Sequence, residues 1–215
     1  MRVLSIIMKN TMIVRTKFSL IIAVLVSGLM AAMPAAAQKF TVTNASTMTI
    51  YGSANVTDWE AKAKTITGEI RMNGTNLSDW SEADASWFES VEIAIKVEDI
   101  DADSRRMNRN MHGYLKEDQY PEITYRLVEA KELAMLDNPG VKLTVRGVIN
   151  AAGTDKEIIH DVEVRKNDAG GLVVSGSQDL LMTDFGIDPP TAVLGSIRSR
   201  DEMTITFEIH LEKAQ

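Results

Sequence analysis

The 215-residue sequence predicts an all-β domain, an antiparallel sheet of eight or nine strands that must close into a barrel or split into a sandwich. Three observations predict it. Apolar and polar residues alternate with period two in run after run, short polar turns separate the runs, and only one segment of the mature chain shows helical spacing instead.

The first 37 residues stand apart from that pattern. Arg2, Lys9, Arg15 and Lys17 precede an apolar run at 18–30, and "AAMPAAAQ" then offers small residues with a cut after Ala37, which is the layout of a secretory signal. The run of about 13 apolar residues falls short of the roughly 20 that span a bilayer. The expected mature domain is therefore residues 38–215.

Residues 40–43 offer an opening strand, followed by less regular runs at 48–53 and 59–70. "VEIAIKVE" alternates cleanly, with Val91, Ile93, Ile95 and Val97 on the dry face, and "EITYRLVE" repeats the pattern with Ile123, Tyr125 and Leu127. Between them, "SRRMNRNMHGYLKEDQYP" places Met107, Met111, Tyr114 and Leu115 at helical spacing. Asp103 or Ser104 is a candidate N-cap and Pro121 the stop, which predicts one short helix over about 104–117. Gly113 weakens this helix by ~1 kcal/mol, so it needs to dock against the sheet. Further strands are expected at 142–149, 157–164 and 172–182. The last, "EMTITFEIHLE", alternates Met203, Ile205, Phe207, Ile209 and Leu211 against polar residues. The turns are "NAS", "NGTN", "DNPG", "NAAGTDK" and "KNDAGG".

Composition excludes several functions. Cleavage at Ala37 removes four of the 23 basic residues and none of the 30 acidic ones, leaving a formal charge of −11. Nucleic acid is not an expected partner, because phosphate neutralisation needs a basic face. The chain has no cysteine, so neither disulfides, thiolate metal sites nor a lipid-modified cysteine is available, and stability must come from packing. Four Asn-x-Ser/Thr sequons, at Asn44, Asn55, Asn73 and Asn76, are most simply turn chemistry in a bacterial protein.

Apparent catalytic motifs dissolve on inspection. Asp184-Phe185-Gly186, within "LLMTDFGIDPP", is the magnesium-binding tripeptide of protein kinases, and Lys96 in "EIAIKV" resembles their phosphate-binding lysine. However, the glycine-rich loop and the His-Arg-Asp catalytic loop are both missing. Asp184 then reads as a brace for a turn that Pro189 and Pro190 stiffen. His112, His160 and His210 have no metal-ligand spacing, and no cofactor is expected. His210 falls on a wet face. His160, in "EIIHDVEV", falls on the dry face with Ile158, Val162 and Val164, where a buried neutral histidine needs a hydrogen-bond partner.

Four blocks in order carry a resemblance: "STMTIYGSANVTDWEAKAKTITGEI", "VEIAIKVEDIDADSRRMNRNMHGYLKEDQYPEITYRL", "LTVRGVINAAGTDKEIIHDVEV" and "GSQDLLMTDFGIDPPTAVLGSIRSRDEMTITFEIHLE". Together they resemble the YceI-like family of exported polyisoprenoid-binding proteins across nearly the whole mature chain. The resemblance implies a lipocalin-like antiparallel barrel of about eight strands, one helical segment beside it, an elongated apolar interior for a polyprenyl chain or similar amphiphile, and no catalysis. Many members carry Asp-x-His-Leu at the start of this helix, followed by a Phe-Phe pair. Here the region reads "MNRNMHGYLK", which follows the branch with a Met-x-x-x-Met-x-x-x-Leu helix.

On this reading the chain is a periplasmic carrier whose ligand is an isoprenoid or other amphiphilic lipid, with no stable membrane insertion of the mature protein and a homodimer left open. The expected lining is Ile93, Ile95, Val97, Ile123, Tyr125, Leu127, Leu143, Val145, Val162, Val174, Ile205, Phe207 and Ile209, with Met107, Met111 and Leu115 closing it. Arg105, Arg106, Arg109, Arg198 and Arg200 are candidates for a phosphate headgroup. Gly52, Ala54, Gly147 and Gly176 leave either interior room or close backbone approaches. Two rival readings stand beside it: an interaction module with a filled barrel, and an enzyme on an amphiphilic substrate that pairs His160 with a carboxylate. Alternation is the same in hollow and filled barrels.

Overall fold

The structure is a computed structural model that describes residues 37–73, 80–192 and 194–214. The expected signal segment up to residue 36 and the sequon at Asn76 lie outside the described residues.

The described strands are β1 (Gln38–Val42), β2 (Thr47–Ala54), β3 (Asp58–Ala63), β4 (Thr67–Met72), β5 (Phe88–Lys96), β6 (Ile100–Asp101), β7 (Glu122–Met135), β8 (Gly140–Ala151), β9 (Thr154–Lys166), β10 (Leu172–Leu181), β11 (Thr191–Ala192) and β12 (Ile197–Lys213). Every neighbouring pair in the ring is antiparallel. The order β1-β4-β5-β7-β8-β9-β10-β12 closes where β12 pairs back onto β1, with Val42 opposite Leu211. The result is a closed eight-strand barrel. Closure removes the free edges that an open sheet of this size would expose.

Three wall positions are bent strands built from two pieces each. β1 and β2 run successively along β12, from Phe40 opposite Lys213 to Ala54 opposite Ser199, with the turn at residues 43–46 between them. β4 pairs β1 while β3 pairs β2, and β5 pairs β4 while β6 pairs β3. A 3-10 turn at Val97–Asp99 separates β5 from β6. The single expected run at 59–70 is therefore two strands, and the alternation expected to continue through Val97 stops at Ile95. Val97 is 1% exposed, but its backbone N–H donates to Pro121 O at 2.9 Å at the start of β7.

β7 is longer than its alternation suggests. Register shifts at Leu127/Glu129 and Ala130/Glu132 each insert an extra residue, so the half-buried positions run 123, 125, 127, 130 and 133. The spacing of three in the second half conceals a strand.

The helix α1 (Arg105–Tyr114) begins at Ser104, whose hydroxyl accepts from Met107 N at 3.4 Å. Asp103, the other candidate cap, instead sits at φ 53 in the preceding turn. That turn is tied down by Asp101, which accepts from Asn108 Nδ2 at 2.7 Å and pairs with Lys64 at 2.7 Å. These contacts, the Lys64 hydrogen bond first and Asn108 second, hold its carboxyl at about 2. None of the helix residues is fully buried.

Inside the barrel the packing is uneven. At the end where β1 starts and β12 finishes, Phe40, Met72, Val141, Leu172 and Leu211 are 0% exposed and form a solid plug. Toward the other end a second cluster gathers Ala151, Ala152, Ile158, Leu180, Met182, Phe185 and Ile187. Between them Val91, Ile93, Leu127, Val174, Ile205 and Phe207 remain only half-buried.

Candidate functional site

Those half-buried side chains surround a cavity of about 150 Å³. Of the residues expected to line it, Ile93, Ile95, Ile123, Tyr125, Leu127, Leu143, Val145, Val162, Val174, Ile205, Phe207 and Ile209 do so. Met48, Ile70, Phe88, Thr124, Val91, Ile149, Ile158, His160, Val164 and Gln178 complete the wall. Four of these ten additions had a legible signal, since Val91, Ile158, His160 and Val164 lie on dry faces of alternating runs. Thr124 had none, because alternation puts it on the wet face between Ile123 and Tyr125, whereas Gln178 keeps the inward parity of Val174 and Leu180 but is polar.

Four expected residues lie elsewhere, Val97 of the lining and the three that were to close it. Val97 is buried in the 3-10 turn, outside the cavity wall. Met111 and Leu115 are partly buried and pack against the buried core, Leu115 against both clusters, and Met107 belongs to neither. The helix is short, and none of its residues is part of the cavity wall.

The cavity is dominated by hydrocarbon. Of its 22 lining residues only Thr124, Tyr125, His160 and Gln178 bear oxygen or nitrogen in their side chains, and no Lys, Arg, Asp or Glu is among them. The five arginines considered for a phosphate headgroup are all exposed and none lines the cavity; Arg198 Nε donates to Gly195 O at 3.0 Å.

A band of rings crosses five successive wall strands. The Tyr125 ring on β7 lies over Gly147 on β8, where an added Cβ would fall 2.4 Å from the phenol oxygen. The Phe207 ring on β12 lies over Gly176 on β10, where a Cβ would fall 2.7 Å from Cζ. His160 on β9 stands between the two rings, edge-on to Tyr125 at 5.6 Å and to Phe207 at 6.5 Å between centroids. Gly147 and Gly176 are thus close approaches that seat aromatic rings, and so is Gly52, which lies beneath Trp59.

His160 is 9% exposed, and its Nδ1 is buried with no hydrogen-bond partner. Burial pushes its pKa down, opposed by the charge of Asp161. Asp161 itself points to the opposite face, accepting from Thr144 Oγ1 at 2.7 Å and pairing with Lys142 at 2.7 Å. Burial alone lifts the Tyr125 phenol to about 12. Both side chains are held neutral at physiological pH.

The Asp-Phe-Gly tripeptide is a corner. Asp184 accepts from Lys156 Nζ at 2.6 Å and from Leu181 N at 3.3 Å, Phe185 is 2% exposed in the second cluster, and Gly186 takes φ 65, which favours glycine. Thr183 anchors the corner to Asp201 through Oγ1 at 2.6 Å. Asp184 is therefore committed to Lys156 and its own backbone. The other histidines are also engaged: His112 Nε2 lies 2.8 Å from Ile100 O, and His210 Nε2 lies 2.8 Å from Glu208. Among the described residues no group of three His, Asp or Glu side chains could hold a metal ion, and no helix is long and apolar enough to cross a membrane.

Comparison with known proteins agrees with this geometry. The barrel is similar to that of BcnA from Burkholderia cenocepacia, with TM-score 0.60 and 18% identity over 79% of this chain and 98% of that one. It is equally similar to a polyisoprenoid binding domain from Saccharophagus degradans implicated in plant cell wall breakdown, with TM-score 0.61 and 13% identity over 81% of this chain and 98% of that one. The YCEI protein of Campylobacter jejuni aligns with TM-score 0.50 and 18% identity over 72% of this chain and 84% of that one. At such identities the likeness shows the fold. No curated protein matches the chain in sequence. The YceI-like domain family, however, matches residues 32–211, and the chain belongs to that family.

Proposed function

We propose that the mature chain, residues 38–215 after cleavage at Ala37, is an exported, periplasmic and non-catalytic carrier that encloses an isoprenoid or similar amphiphilic lipid in its barrel. The observation that carries this reading is the central cavity, closed at one end by fully buried side chains and walled almost entirely by hydrocarbon. The Saccharophagus degradans relative described as polyisoprenoid-binding supports the ligand class.

Magnitudes favour enclosure. Each methylene-sized unit moved from water into the cavity contributes ~0.8 kcal/mol, so an isoprene unit of five carbons gains several kcal/mol without any polar contact. An engineered apolar cavity of about 150 Å³ takes up benzene, so a chain of several isoprene units needs wall side chains such as Met48 and Phe207, both half-buried, to swing aside. The filled-barrel reading is disfavoured by that cavity. The enzyme reading lacks its pair, because the neighbouring carboxylate Asp161 faces Lys142 and Thr144.

The test is organic-solvent extraction of the purified mature protein followed by mass spectrometry. A stoichiometric prenyl or long-chain lipid is expected. A protein that yields none, and gains none when offered polyprenols, contradicts the carrier reading.

A further inference from the structure

The lining is apolar except at Thr124, Tyr125, His160 and Gln178, and one of these holds a buried nitrogen with nothing to bond. His160 Nδ1 has no hydrogen-bond partner among the described protein groups, although its ring is nine-tenths buried and faces the cavity. An unpaired buried polar atom costs about as much as a lost hydrogen bond and is normally satisfied. Tyr125 and Gln178 bring further oxygen and nitrogen to the same cavity. Tyr125 and Phe207 flank the imidazole edge-on from either side, and Gly147 and Gly176 leave the space those rings occupy.

We infer that His160 is a specificity-determining residue, which takes a hydrogen bond from or to a neutral hydroxyl or carbonyl group of the ligand inside the barrel. This rests on the enclosure reading and adds the chemistry of the enclosed head. A phosphate or carboxylate is excluded from that position, because no cation lines the cavity to offset its desolvation, and burial opposes a charged imidazole. The ligand class is a neutral amphiphile, a prenyl or alkyl chain ending in an alcohol or carbonyl, with its polar end inward.

The experiment compares three probes on the full mature chain by calorimetric titration: geraniol, the same ten-carbon chain lacking the hydroxyl, and geranyl phosphate. The wild type should bind geraniol about tenfold more tightly than the hydrocarbon and more tightly than the phosphate. In His160→Leu that preference for the alcohol should vanish while the hydrocarbon still binds. Without any substitution, the ring nitrogen resonances of His160 should move with geraniol and stay put with the hydrocarbon. Equal binding of alcohol and hydrocarbon by the wild type, or an unmoved His160 signal on geraniol binding, overturns this inference and leaves enclosure standing. Failure of all three probes to bind overturns enclosure and the inference together.

Discussion

A histidine ring facing a hydrocarbon interior is stable there only in its neutral form, and the cost of charging it is what lowers the pKa of His160. The sign of the consequence is fixed. The unfolded chain titrates this ring near the ordinary value of about 6.5, while the folded chain holds it lower, so below that value the unfolded state binds more protons. Its contribution to stability is present above the unfolded value and is lost as pH falls toward the folded one. Tyr125, the other titratable side chain facing the ring, stays protonated throughout, and Asp161 lies on the outer face. Urea midpoints measured from pH 7 to 5 should therefore decline in the wild type and decline less in His160→Gln. Parallel curves would show that the ring is not held neutral by burial. The dry-face position of this histidine was legible from "EIIHDVEV", but its lack of a partner was not. Whether Nδ1 finds a partner depends on residues of β7, β10 and β12, which alternation does not align.

Between strands, the register that seats each ring over a glycine sets the shape of the cavity. Gly147 lies inward on β8 beneath a ring from β7, and Gly176 on β10 beneath a ring from β12. A methyl group at either site meets an aromatic ring well inside contact distance, so Gly147→Ala and Gly176→Ala should each lower stability by about 1–3 kcal/mol in urea unfolding. The control runs the other way. Gly113 in α1 has nothing within 4 Å of an added Cβ, and Gly113→Ala should stabilise the helix by up to ~1 kcal/mol. If all three substitutions behave alike, the glycines of the wall are not seats for rings. Most strands could be read from period-two alternation because one face of each meets the core. The second half of β7 could not, since its two bulges turn the period to three, and the 3-10 turn at Val97 ended a run that alternation extended. The helix was placed to within a few residues by Ser104, Met107, Met111 and Pro121. Its apolar side chains Met111 and Leu115 read as a lid, yet they pack against the core clusters and leave the cavity wall to strands.

At the scale of the molecule, two facts decide what the domain can do: the sheet closes, and the closed interior is packed at one end and open in the middle. Alternation alone allowed a barrel or a sandwich, because the side-chain period is the same in both. Closure depends on β12 reaching along both β2 and β1, a long-range register that no local signal encodes. The hollow was equally invisible, since Val174 or Leu127 reads as core whether or not anything faces it. No charged side chain lines the cavity, which suits the enclosure of an apolar chain proposed above. Where a bound chain lies is therefore the decisive question. Titration of methyl-labelled mature protein with farnesol, read by intermolecular nuclear Overhauser effects, answers it directly. Contacts to the inward methyl groups of Ile93, Leu127 and Ile209 are expected, with none to the outward methyl groups of Val128, Ile159 and Leu181. Contacts confined to Val128, Ile159 and Leu181, or no contacts at all, would contradict enclosure within the barrel.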